Sequence, residues 1–266
     1  MKRNKVIYSL FIGLTVLIVS SCDSIVDEQF LENNTDVAGV ELVATQNSAG
    51  GNLIELSMNT PGVTGYWDYN LGKALTNKVE FVYPIPGKST FTFVGTLGAE
   101  FFEKTIDVQV NVLDTPLDQD WYNLVSNSTS AGKTWVFDGV GGDGGLWWFM
   151  SPPNDPTSYM GAWWNAGGTC CPPGDAGGKM VFDLNGAANY TYYSGPDAEG
   201  VIGSFVLDVT NQTLTVSGNT LLGGTADARN PNGVYKIISL TEDELILYTP
   251  NNAGGTGWTW VFVPGE

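Results

Sequence analysis

The chain is 266 residues long and carries 11 Lys and Arg against 28 Asp and Glu, a formal charge of −17. That balance excludes nucleic acid, which needs a basic face, and disfavours anionic polysaccharides, so a neutral ligand fits best. The absence of histidine excludes Ser-His-Asp and Cys-His nucleophiles, His-ligated zinc and imidazole acid–base chemistry.

At the N-terminus, Lys2, Arg3 and Lys5 precede an almost purely apolar run from Val6 to Val19. The run is too short to stay in a bilayer as a span and reads as a signal peptide. It closes on Val19-Ser20-Ser21-Cys22, which resembles the lipobox of bacterial lipoproteins. There, small residues precede a cysteine that is lipidated and becomes the new N-terminus. The resemblance implies a signal peptide over residues 1–21, lipidation at Cys22 and a tether over residues 22–35. Asp23, Asp27 and Glu28 resemble the acidic surface-export signal of Bacteroidetes lipoproteins. That implies a lipid anchor in the outer membrane, on the cell surface, with the periplasmic face as the alternative. An ordinary secretory peptide with a stray cysteine is the plainer reading.

From residue 36 the text becomes a series of short alternating runs: Gly39–Val43, Leu53–Ser57, Val79–Tyr83, Ser89–Val94 and Ile106–Val110. Pro61-Gly62 and Pro86-Gly87 separate them. Alternation bounded by such turns predicts a small β-sandwich over residues 36–112. Within it, Tyr66-Trp67-Asp68-Tyr69 and the stretch Phe81-Val82-Tyr83-Pro84-Ile85-Pro86-Gly87-Lys88-Ser89-Thr90-Phe91-Thr92-Phe93 are similar to the PKD-type, immunoglobulin-like domain. Asn70-Leu71-Gly72 stands where that family has a Gly-Asp-Gly turn. The resemblance implies a spacer with Trp67 in its core.

Residues 113–120 are polar, contain Pro116 and form a linker too brief to be a floppy tether. In residues 121–266, Trp121–Val125 suits a short helix. Strands are predicted at Lys133–Phe137, Leu146–Met150, Tyr159–Asn165, Gly178–Leu184 and Ala188–Tyr193. The series continues at Gly203–Val209, Thr213–Ser217, Gly233–Leu240, Glu244–Thr249 and Gly257–Val263. Thr210-Asn211-Gln212 and Thr241-Glu242-Asp243 make hairpin turns. Many short strands without an amphipathic helix predict an all-β domain. The expected form is a larger β-sandwich of the jelly-roll type, with a lipocalin-like barrel as alternative. Lys133-Thr134-Trp135-Val136-Phe137 echoes Gly257-Trp258-Thr259-Trp260-Val261-Phe262, which predicts that the ends of the domain pair.

Eight of the nine tryptophans fall in this second domain, and Trp147-Trp148 and Trp163-Trp164 are adjacent pairs. Neighbours on a strand point to opposite faces, so one ring of each pair is expected in the core and the other exposed. Pyranose rings present apolar C–H faces, so exposed indoles with a few amides nearby suffice to bind sugar. The candidate carbohydrate-binding residues are Trp147, Trp148, Tyr159, Trp163, Trp164 and Asn165, with Asp155, Thr169 and Asp175 as further hydroxyl-binding groups. Such a module would present coplanar indoles in a groove. Trp258 and Trp260 lie two apart and are expected as a core stripe. If every ring merely fills the interior, the protein is structural or adhesive.

A glycoside hydrolase needs two carboxylates facing one cleft. The few glutamates of the second domain include Glu242 and Glu244 in a tight turn, and no catalytic residue is assigned. Asp138 and Asp143 flank a glycine run and suit a turn better than a structural calcium site. No cofactor is called for. Cys170 and Cys171 are adjacent and, in an oxidising compartment, are expected to form a vicinal disulfide that locks a turn.

In layout the whole chain resembles the surface glycan-binding lipoproteins of Bacteroidetes polysaccharide-utilization systems. That resemblance implies a non-catalytic module capturing a neutral polysaccharide or oligosaccharide, a β-glucan such as laminarin being the best fit. Its partners would be the outer-membrane lipid anchor and the proteins of an uptake system.

Overall fold

The computed structural model describes residues 37–98, 100–141, 145–152, 164–224, 230, 232–250 and 255–266. The apolar leader, Cys22 and the tether lie outside the described residues. The described chain is all-β and forms two units.

In the first unit, β1 (Leu42–Gln46), β2 (Leu53–Met58) and β5 (Lys78–Val82) form one sheet. β3 (Val63–Asp68), β4 (Lys73–Ala74), β6 (Gly87–Leu97) and β7 (Glu100–Val110) form the other. Burial alternates along β2, as one apolar face per strand requires. Trp67 is fully buried; its ring meets Phe93 edge-on at 5.2 Å and its N–H donates to the Asn77 carbonyl at 3.1 Å. Trp67 is therefore core, as expected.

The turn after β3 has Asn70 in the left-handed region, at φ 70°, a conformation Asn tolerates better than most residues. It carries Tyr69 and Leu71 towards the second unit. With Trp121, Leu207 and Asp208 these residues border a cleft of about 460 Å³ between the two units. Burial, and then the charges of Asp208 and Asp68, push the Tyr69 phenol up. The linker is stapled to the first unit: Asn52 donates to the Thr115 carbonyl at 2.9 Å and accepts from its N–H at 2.8 Å.

The second unit is an eight-stranded antiparallel barrel. Its wall consists of β8 (Lys133–Phe137), β11 (Lys179–Asp183), β12 (Asn189–Tyr193), β13 (Val201–Asp208), β14 (Thr213–Ser217), β15 (Val234–Leu240), β16 (Leu245–Thr249) and β17 (Gly257–Pro264). Each strand from β11 to β17 pairs with the next, β17 returns to β8, and β8 pairs with β11. The barrel alternative thus holds, and the jelly-roll sandwich gives way to it. Pairing the first and last strands removes the open edges that a sandwich would keep. Phe262 lies opposite Phe137 in that closing pair, the contact that the echo between the two strands anticipates.

Trp135, Phe137, Phe182, Tyr190, Trp260 and Phe262 are almost wholly buried and fill the interior. Burying a Phe-sized side chain contributes about 1.5–3 kcal/mol, so this aromatic column is a main source of the barrel's stability. Both ends are closed. At the linker end the helix Gln119–Val125 sets Trp121 against Phe205 at 6.0 Å. The Leu124 carbonyl there accepts the Trp135 indole N–H at 2.9 Å. At the opposite end, the buried Leu221 and Leu222 form a plug.

Candidate aromatic rim site

The insertion between β8 and β11 holds β9 (Leu146–Ser151) and β10 (Trp164–Gly167), paired antiparallel. β17 joins this hairpin to the barrel. Its C-terminal residues, Phe262 to Pro264, pair with β8, whereas Gly257 to Trp260 pair with β9. β8 and β9 therefore lie along one edge of β17, in line.

Cross-strand partners point to the same face. Met150 lies between Trp164 and Trp258 in one row, and Trp148 between Ala166 and Trp260 in the next. Trp148, Met150, Trp164 and Trp258 consequently share a face that runs on into the barrel through Trp260, itself 1% exposed. The Trp148 ring lies 4.6 Å from Trp258 at 39° and 4.8 Å from Trp164 at 74°. Trp164 is 41% exposed. The three indoles are in contact but not coplanar, so the expected flat groove is replaced by a corner of rings.

The adjacent pair splits by face as alternation demands, but Trp148, the ring expected to be exposed, is half-buried against the core. Trp147, on the other face of β9, is 6% exposed, meets Phe137 edge-on at 5.7 Å and donates to the Gly168 carbonyl at 3.1 Å. Of the expected site residues, Trp147 is thus a packing residue, while Trp148 and Trp164 come together. Tyr159, Trp163 and Asp155 lie outside the described residues. Asn165 is exposed but pairs in register with Phe149, which puts it on the face opposite the indoles.

Asp175 is buried and commits one oxygen within the fold, while its Oδ1 has no hydrogen-bond partner among the described residues. It is 5% exposed, and its Oδ2 accepts the Gly223 N–H at 2.9 Å and the Tyr192 hydroxyl at 2.8 Å. Burial and that hydrogen bond push the Tyr192 phenol up, so it persists as a donor. Asp138 likewise commits one oxygen: its Oδ2 accepts the Leu146 N–H at 2.7 Å and so starts β9. Its suggested calcium partner Asp143 lies outside the described residues. Among the described residues no three His, Cys, Asp or Glu side chains cluster as metal ligands.

Cys170 and Cys171 are joined as a vicinal disulfide. The turn puts Cys171 at φ 60°, a strained region for a residue with a Cβ. It aims the Cys171 carbonyl at the Trp148 indole, whose N–H it accepts at 3.3 Å. The disulfide turn thereby orients the central ring of the cluster.

Sequence reasoning missed Trp258 and Met150 as site residues. Trp258 does share a face with Trp260, but only Trp260 sits inside the barrel. The signal was available in the same period of two, followed past the end of the wall. Among the described residues no helix is long and apolar enough to cross a membrane. Comparison with protein-family models finds no match, and comparison with curated proteins finds none.

Proposed function

We propose that this protein captures a neutral polysaccharide, a β-glucan such as laminarin, on the corner formed by Trp148, Trp164 and Trp258, without cleaving it. The observation that carries this reading is Trp164. It keeps 41% of its surface exposed while standing on Trp148, which is backed in turn by Trp258. A protein whose tryptophans served packing alone would bury that ring. An indole held still by its neighbours loses little entropy when a sugar stacks on it. The inclined rings favour a chain that turns over one that lies flat.

Two features favour binding over hydrolysis. Asp138 and Asp175, which flank the hairpin in sequence, each commit one oxygen to a backbone N–H group, and Asp175 is buried. The chain also has no histidine to serve as an alternative proton carrier. With Cys22 lipidated, the first unit acts as a stand in the outer membrane, and proteins of an uptake system receive the captured chain. The test is a glycan array followed by calorimetry on the full chain and on Trp164→Ala. Binding of a neutral glucan by the first and not the second is the expected result. Equal binding by both would move the site elsewhere.

A further inference from the structure

The strand register places more than the indoles at the end of the barrel away from the linker. Ser217 at the end of β14, Val234 at the start of β15, Thr249 at the end of β16 and Gly257 at the start of β17 all lie at that end. Beside Ser217 opens a pocket of about 470 Å³, lined by Ser217, Asn219, Thr220, Asn230, Asn232 and Tyr235 among others. The pocket is neutral and rich in amides and hydroxyls, which both donate and accept hydrogen bonds.

Part of this lining is braced. Asn219 donates to the Val201 carbonyl at 3.1 Å and accepts the Thr220 N–H at 2.8 Å, and Asn230 donates to the Val234 carbonyl at 2.9 Å. Asn232 and Ser217 are exposed and make no side-chain hydrogen bond among the described residues. Val216 and Tyr235, both buried, supply the apolar surface of the lining. Fixed amides, free hydroxyl-binding groups and small apolar patches together are the chemistry of a sugar subsite.

Between pocket and indoles runs the plug. Gly223 lies beside the Trp260 indole, and a Cβ there would meet its Nε1 at 2.6 Å, so the loop is pressed flat at this point. Along the sheet β14 stands three strand spacings from β17 and five from β10, which carries Trp164, so the corner and the pocket are about 14–24 Å apart. That is too far for one sugar ring and within reach of a short oligosaccharide.

We infer that this pocket is a second glycan subsite, so that the ligand is an oligosaccharide spanning the barrel end from the tryptophan corner to Asn232 and Ser217. The inference rests on the proposed glycan capture and adds to it a length requirement and a direction for the chain. Calorimetry on the full chain with laminaribiose and with laminarihexaose tests it. Wild type should bind the hexaose more tightly than the disaccharide. The Asn232→Ala, Ser217→Ala double variant should lower hexaose affinity roughly tenfold, as the loss of about two hydrogen bonds implies, and leave the disaccharide unaffected. Both replaced side chains are exposed, so the thermal midpoint should not move. Affinity that is independent of chain length, or unchanged in the double variant at both lengths, overturns the second subsite. If Trp164→Ala also leaves disaccharide binding unchanged, it is the capture reading itself that fails.

Discussion

Single side chains separate binding from packing. Trp164→Ala removes a ring that is 41% exposed but meets Trp148 edge-on, so its stability cost should be about 1–2 kcal/mol, well below that of a fully buried ring. Its stacking contribution should vanish, on the order of 1–3 kcal/mol if base stacking is a fair guide to sugar stacking. Trp147→Ala should do the opposite. It deletes a buried ring and its hydrogen bond to Gly168, costing roughly 3–5 kcal/mol of stability while the affinity of the surviving folded protein is retained. Asn165→Ala should change neither, because the side chain faces away from the indoles. Calorimetry and thermal melts on the three variants check these outcomes together. A drop in affinity for Asn165→Ala would mean that the wrong face of the hairpin has been assigned.

At the scale of elements, two devices hold the rim. Asp175 ties the loop Leu221–Gly223 to Tyr192 through hydrogen bonds from Gly223 and Tyr192. Asp175→Ala strands both donors in the interior and should cost roughly 2–4 kcal/mol, read as a lowered thermal midpoint. The Cys170–Cys171 turn holds Trp148 by one carbonyl. Replacing both cysteines by serine should weaken glycan binding several-fold and leave far-ultraviolet circular dichroism unchanged. Unaltered affinity would make the disulfide a loop staple only. Most strands were legible, because alternation and turn residues mark them: Lys133–Phe137 and Thr213–Ser217 match β8 and β14 end to end, whereas β3 was not expected and the strand expected at Tyr159–Asn165 meets β10 only at Trp164 and Asn165 among the described residues. Their closure was less so. Whether ten short strands make a sandwich or a barrel depends on pairings between residues such as Phe137 and Phe262, and local periodicity carries no long-range pairing. The opposed fates of Trp147 and Trp148 followed from adjacency alone. Trp258 did not, since the end of the barrel wall is set by where β8 gives way to β9.

At the scale of the whole molecule, the two units meet at the Tyr69–Leu71 turn, and the linker is stapled by Asn52. Leu71 of that turn lines the clefts between the two units. A fragment of residues 23–115 should not bind glycan, because it lacks every indole of the corner; binding by it would relocate the site to the first unit. The anchor is tested separately. A palmitate analogue should label the wild type in cells and not Cys22→Ala, and equal labelling of both would mean that Cys22 carries no lipid. Degradation by proteinase added to intact cells is expected for a surface-exposed protein, and full protection would place it on the periplasmic face.

The opposed ends of the barrel have a mechanical consequence. The linker and its helix meet the wall at the Leu240 and Lys133 end, whereas the indoles sit at the Gly257 end of β17. A load applied at the indoles, as by the long polymer of the proposed capture, would therefore pull on β17 while the linker holds β8, and the tension would run mainly along the strands. Antiparallel hydrogen bonds lie perpendicular to the strands, so such a load is shared by many bonds in shear instead of unzipping them one at a time. Pulled at right angles, the short β9–β10 hairpin would peel first, releasing the catch before the barrel opened.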